Sequence, residues 1–241
     1  MKKFEDKVVV VTGGDKGIGR CIADEFISSG AKVAVIDKDN TSGRADFFYQ
    51  GDITEEAVLL DFSKKVIDKY SKIDYLINNA GLSKGGLNTC SYDDFLYVQK
   101  LSLAAPFMLT KLFKNHFNNN ASIVNISSTR AFQSQEDWES YSAAKGGIVA
   151  LTHAMAVTLH GKVRVNCISP GWIDTTNSDF SSQDNNQHPV HRVGKPIDIA
   201  NAVMFLCSEE SGFMTGQNLI IDGGMSKLMV YHNDYGWEYK G

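Results

Sequence analysis

The chain has 241 residues, 43% hydrophobic and 22% charged, with a net charge of −4 and a pI near 5.9. That balance suits one large α/β domain with an extensive core and carries no basic footprint for nucleic acid. No apolar run approaches the ~20 residues that span a bilayer.

The N-terminus, Met1-Lys2-Lys3-Phe4-Glu5-Asp6-Lys7, is charged and unlike a secretory signal. Cys21, Cys90, Cys167 and Cys207 are too scattered for a zinc motif or a disulfide framework. A cytoplasmic protein with reduced thiols, no metal and no membrane partner is expected. The first strand is read over Lys7–Thr12. It runs into Thr12-Gly13-Gly14-Asp15-Lys16-Gly17-Ile18-Gly19, and a helix follows over Ile18–Ser29, closed by Gly30. A glycine-rich turn between a strand and a helix lets backbone N–H groups approach a pyrophosphate, and the helix N-terminus adds partial positive charge. Gly13, Asp15, Lys16, Gly17, Ile18 and Gly19 are therefore candidate dinucleotide contacts.

The second strand, Lys32–Ile36, ends at Asp37. A carboxylate there can accept hydrogen bonds from a ribose and repels a 2′-phosphate, which favours NAD. Lys16 and Lys38 could each reach a phosphate and keep NADP as the alternative. Strands are also read at Phe47–Tyr49, Ile73–Ile77, Ser122–Ser127, Val163–Ile168 and Asn218–Ile221. Helices are read at Glu55–Tyr70, Tyr92–Asn115, Glu139–His160 and Pro196–Ser208, with Gly161 closing the third of these and Asp198 following Pro196 at the start of the last. Strand–helix alternation with continuous apolar strands implies a single-domain, doubly wound parallel sheet of about seven strands with helices on both faces. The polar stretch Thr175–Val190 falls between a strand end and a helix, where a substrate lid would border the ligand crevice. The domain spans residues 1–225, and an aromatic tail, Ser226–Gly241, follows with Tyr231, Tyr235, Trp237 and Tyr239.

On the helix from Glu139, Tyr141 and Lys145 share one face. A neighbouring ammonium favours the phenolate, which suits a phenol to donate and accept protons.

These motifs, in this order, resemble the short-chain dehydrogenase/reductase family from about Lys7 to Met225. The resemblance rests on Thr12-Gly13-x-x-x-Gly17-x-Gly19, Asp52 after the third strand, Asn78-Asn79-Ala80-Gly81 after the fourth, Ser128 after the fifth, Tyr141-x-x-x-Lys145, Pro170-Gly171 after the sixth, and Thr215-Gly216-Gln217 with Asp222-Gly223-Gly224 near the end. It implies a Rossmann-type fold and an NAD(H)-dependent oxidoreductase interconverting a secondary alcohol and a ketone. Tyr141 would be the general acid and base, Lys145 would hold the nicotinamide ribose, and Ser128 would hold the substrate oxygen. Asp52 and Ile53 would meet the adenine, Asn79, Ala80 and Gly81 the adenosine ribose, and Pro170, Gly171, Ile173 and Thr175 the nicotinamide side. A homotetramer is also implied, with a small alcohol or ketone as the other partner.

Three departures from the family stand out. Ser102 replaces the asparagine that usually shapes a water-linked proton path, so Ser102 is the candidate fourth catalytic residue, working through an extra water or more weakly. The short segment between Asp37 and Asp52 leaves no room for a helix and should open the adenine side. The tail is longer and more aromatic than is usual and is expected to pack across a subunit interface. Two other functions are open: a nucleotide sensor with weak chemistry, favoured only by Ser102, and a 3-oxoacyl reductase acting on a carrier, which would need a basic patch such as Lys84, Arg130 and Arg192. Phe132, Trp138 and Trp172–Val190 are expected to line the substrate pocket.

Overall fold

A computed structural model describes residues 2–40 and 45–238. Seven strands form one parallel sheet in the order β3-β2-β1-β4-β5-β6-β7. They are β1 (Val8–Thr12), β2 (Lys32–Asp37), β3 (Phe47–Gln50), β4 (Ile73–Asn78), β5 (Phe117–Ile126), β6 (Val163–Pro170) and β7 (Asn218–Ile221). The helices are α1 (Gly17–Ser28), α2 (Glu56–Tyr70), α3 (Tyr92–Gln99), α4 (Ala105–Phe113), α5 (Glu139–Thr158), α6 (Ser182–Asn186) and α7 (Pro196–Cys207).

The run Val8-Val9-Val10-Val11 shows why the sheet is covered twice. Side chains alternate along a strand. Val8 and Val10 join a core with Phe62, Leu109 and Phe113 from α2 and α4, whereas Val9 and Val11 join a core with Ile22, Phe26, Ile199 and Val203 from α1 and α7. Phe26, Phe62 and Phe113 are fully buried, each worth about 2–3 kcal/mol of apolar burial.

Register then sets the site. Thr12 pairs with Ile36 on one side and with Asn78 on the other, so the turn after β1, the end of β2 and the segment after β4 emerge together. The strand order reverses between β1 and β4, which is where an open α/β sheet forms its ligand crevice.

Two elements differ from the expected ones. Tyr92–Asn115 is not one helix: α3 and α4 are separated by a π-helical segment, Lys100–Ala104. Pro106 is the cause. It has no amide to donate to the Ser102 carbonyl four residues back, and its ring crowds that carbonyl, so the ladder widens there. β5 begins at Phe117 rather than Ser122, because Phe117 pairs with Ile73 before a register shift absorbs the polar Asn118-Asn119-Asn120. Between β2 and β3 no helix occurs among the described residues; residues 41–44, where the short crossover was expected, lie outside them. The described part of the tail carries two 3₁₀ turns, Met225–Lys227 at its start and Asp234–Gly236, and Tyr239 lies outside the described residues. No helix among the described residues is long and apolar enough to cross a membrane.

Candidate active site

At the carboxyl ends of the strands lies a cleft of about 500 Å³, within the range of small-molecule and cofactor sites. Its wall includes Gly13, Lys16, Ile18, Asp37, Asp52, Ile53, Asn79, Ala80, Gly81, Ser128, Tyr141, Lys145, Pro170, Gly171, Ile173 and Thr175. Four expected residues are not on that wall. These are the buried Asp15 in the turn, Gly17 and Gly19 in the first turn of α1, and the buried Ser102. The wall also holds Lys38, weighed above as a possible phosphate ligand, and Asp39 and Tyr97, which were not among the candidates.

The turn after β1 is a tight cradle. A Cβ on Gly19 would sit 2.0 Å from the Gly13 carbonyl oxygen and 2.4 Å from the Asn79 amide nitrogen, so only glycine fits there. Asn79 donates from Nδ2 to the Thr12 and Gly13 carbonyls at 3.1 and 2.8 Å, while its own amide and that of Ala80 donate to Thr12 Oγ1, each at 3.1 Å. Asn79 therefore braces the cradle with its side chain and presents its remaining surface to the cleft. No side chain caps α1, so its first amides are left for a ligand. These features fit a dinucleotide pyrophosphate.

At the other end of the cleft, Asp37 Oδ2 accepts from the Asp15 amide at 3.0 Å, which ties the end of β2 to the turn. Both nearby lysines are occupied. Lys16 Nζ lies 2.8 Å from Asp39, and Lys38 Nζ lies 2.9 Å from Asp52. Tyr97 joins that second pair: its hydroxyl donates to Asp52 Oδ2 at 3.1 Å and accepts from Lys38 at 3.2 Å. Asp52 is desolvated, but bonds from the Thr54 amide and hydroxyl, Lys38 and Tyr97 outweigh this and hold its carboxyl below the usual range. Lys38, Asp52 and Tyr97 thus line this part of the cleft as one hydrogen-bonded cluster. Tyr97 escaped the sequence reading because a tyrosine in an apolar helical run carries no local signal.

The catalytic candidates converge. Lys145 is buried and donates from Nζ to the Ile126 carbonyl at 2.7 Å, with Nζ 5.2 Å from the centre of the Tyr141 ring. Ser127 Oγ donates to the Lys145 carbonyl at 2.7 Å, pinning α5 to the end of β5. Below, Asn78 Nδ2 donates to Asn125 at 2.8 Å and Asn125 Nδ2 to Thr152 at 2.9 Å, joining β4, β5 and α5 in one buried polar network. Gly81 is needed beside them, since a Cβ there would sit 2.9 Å from Lys145 Nζ and 3.7 Å from Ser102 Oγ. Ser102 thus faces the space that Gly81 keeps open next to the ammonium. Its hydroxyl is buried and makes no hydrogen bond, in the π segment opened by Pro106.

Trp138 stands edge-on to Tyr141, with ring centres 5.8 Å apart, whereas Phe132 is exposed. The stretch after β6 is folded over: Trp172 meets Phe180 edge-on at 5.2 Å and lies 6.2 Å from the buried His188, and α6 carries a Ser181/Asp184 capping box. Two members of the expected basic patch are neutralised by acids. Lys84 pairs with Asp94 and Arg192 with Asp198, which leaves Arg130 apart. No group of metal-ligating side chains occurs among the described residues.

A family model described as enoyl-(acyl carrier protein) reductase matches residues 13–226. An uncharacterized oxidoreductase of Thermotoga maritima is 38% identical over 95% of this chain and 99% of its own. A SCOR enzyme from Clostridium thermocellum, solved in the apo form, superposes with a TM-score of 0.91 at 43% identity, covering 98% of both chains. The ligand-free aldohexose dehydrogenase of Thermoplasma acidophilum gives 0.89 at 30% identity, covering 97% of this chain and 99% of its own.

Proposed function

The chain belongs to the short-chain dehydrogenase/reductase family, as an NAD(P)-dependent oxidoreductase acting on CH–OH groups, and from that premise we propose that it uses NAD(H) to interconvert a secondary alcohol and a ketone. One observation carries this reading: Ser128, Tyr141 and Lys145 line the same cleft as the glycine turn and Asp37.

The cradle at Gly13–Gly19 would hold the pyrophosphate, Asp37 the adenosine ribose, and Lys145 the nicotinamide ribose. When bound, the nicotinamide supplies or accepts the hydride. The protein manages the proton. Tyr141 gives its hydroxyl proton to the substrate oxygen during reduction and takes it back during oxidation. Ser128 donates a hydrogen bond to that oxygen as negative charge develops. Lys145 Nζ stands beside the ring, 5.2 Å from its centre, and fixes it next to the nicotinamide ribose site. Ser102, buried and unpartnered, is suited to hold a water that resupplies the proton past Lys145.

The preference for NAD(H) over NADP(H) rests on charge. A 2′-phosphate would meet the Asp37 carboxylate, and the two cations able to receive it are already engaged by Asp39 and Asp52. The folded segment from Trp172 to Val190 acts as the substrate lid. The working form is a homotetramer in the cytoplasm, in which the tail's exposed Tyr231, Tyr235 and Trp237 dock on a neighbouring subunit. A panel of secondary alcohols and ketones, each assayed with NAD(H) and NADP(H), tests the reading. Turnover with NAD(H) supports it, and turnover confined to NADP(H) or absent throughout opposes it.

A further inference from the structure

Arg130 is the one cation beside the catalytic pair that lacks a carboxylate among the described residues. It follows Ser128 closely, and its own backbone amide donates to Ser128 Oγ at 3.2 Å. Its guanidinium carbon lies 3.8 Å from the centre of the Trp138 ring, and Trp138 in turn stands edge-on to Tyr141. Among the described residues its side-chain hydrogen bond goes to the neutral Gln135. A half-buried guanidinium held on an indole face is partly desolvated, and burial draws its pKa down. A charge so placed is costly unless an anion completes its shell, and a cation–π contact offsets only part of that cost. Every other cation considered for this side of the molecule already has its acid: Asp94 for Lys84, and Asp198, held through both Nη atoms at 2.7 and 2.8 Å, for Arg192.

We propose that Arg130 is a substrate-binding residue that receives a carboxylate, so that the substrates of this enzyme are oxo acids and the matching hydroxy acids. The inference rests on the alcohol–ketone reading above and narrows it. A guanidinium fork matches a carboxylate bidentately. A lone cation suits that single negative charge; a phosphorylated or carrier-bound substrate would call for several. Arg130 and Trp138 stand next to the cleft wall, not on it, and Trp138 ties the fork to Tyr141, so an acid seated on the fork would extend its carbonyl oxygen toward Ser128 and Tyr141.

The test compares acetoacetate and levulinate with their methyl esters, using the whole protein with NADH, for wild type, Arg130→Gln and Arg130→Lys. The expected result is a wild-type kcat/KM at least about tenfold higher for acid than for ester, in line with a charge-assisted bidentate pair. That ratio collapses in Arg130→Gln, mainly through KM, and is partly kept in Arg130→Lys. If Arg130 only props Trp138, acid and ester fall together and the ratio stands, which overturns the proposal, as does a wild type with no preference for the acid. The alcohol–ketone reading is judged separately. If no compound in the wider panel is turned over, that reading fails, and binding of acid against ester to the NADH-loaded protein, followed by tryptophan fluorescence, still decides Arg130: selective binding lost in Arg130→Gln supports the proposal, and equal binding overturns it.

Discussion

Asp37 at the end of β2 accepts a hydrogen bond from the backbone amide of Asp15 at 3.0 Å, so one carboxylate ties β2 to the glycine turn and, in the proposed function, would also meet the adenosine ribose. Replacing Asp37 with Ser removes the repulsion of a 2′-phosphate and one tie to the turn. The KM for NAD should rise about tenfold, and the NADP-to-NAD ratio of kcat/KM should rise by more than that. Steady-state kinetics with both nucleotides checks this.

The unpartnered Ser102 hydroxyl predicts a graded series. Ser102→Ala removes a polar partner for a relay water and should lower kcat about tenfold, the equivalent of one hydrogen bond, with KM little changed. Ser102→Asn restores the family's usual side chain and should match or exceed wild type. Equal kcat for all three would remove Ser102 from the proton path.

Acid stability should depend on Asp198. It accepts from the Lys195 amide at 2.7 Å at the start of α7, and the Arg192 guanidinium beside it holds its carboxyl below the usual range. The folded pKa is depressed, so the stabilisation is complete above the unfolded value of about 4 and is lost as pH falls through the folded one. Asp198→Asn should cost roughly 1 kcal/mol near neutrality, discounted for the partly exposed pair, and should flatten the acid limb of the stability curve below about pH 4. Urea unfolding across pH measures both.

Thiol reactivity should follow burial. Cys167 is enclosed and its pKa is pushed up to about 11, and burial raises that of the fully enclosed Cys207 as well. Iodoacetamide at pH 8 should label Cys90 in the native protein and reach Cys167 and Cys207 only after unfolding.

The aromatic tail gives a further check. Ser226 donates its amide to Asp222 at 2.8 Å and belongs to the domain's closing turn, so a stop codon after Lys227 keeps that turn and removes Leu228–Gly241. Light scattering should then show a smaller assembly. An unchanged mass and activity would sink the docking of the tail on a neighbour.

Much of this molecule was readable from residue order. The valine run of β1, the glycine turn and the Tyr141/Lys145 spacing are local patterns, and local patterns specify a parallel sheet and its crevice. The break in the helix after Tyr92 was also written locally, in Pro106, but a long apolar run masked it. The Lys38–Asp52–Tyr97 cluster was not readable, because its members come from three separate elements and meet only through the β2–β3 register and the angle of α3. The pairing of Lys84 with Asp94 and of Arg192 with Asp198 likewise needed the fold, and only then did Arg130 stand out from the expected basic patch.

The central claim is that Tyr141 moves the proton. Tyr141→Phe keeps the ring against Trp138 and Lys145 but removes the hydroxyl. Turnover of the best alcohol or ketone in the panel should fall by 10²–10⁴-fold, while NADH titrated into the same variant binds with an affinity close to wild type. Turnover near the wild-type rate in that variant would contradict the account.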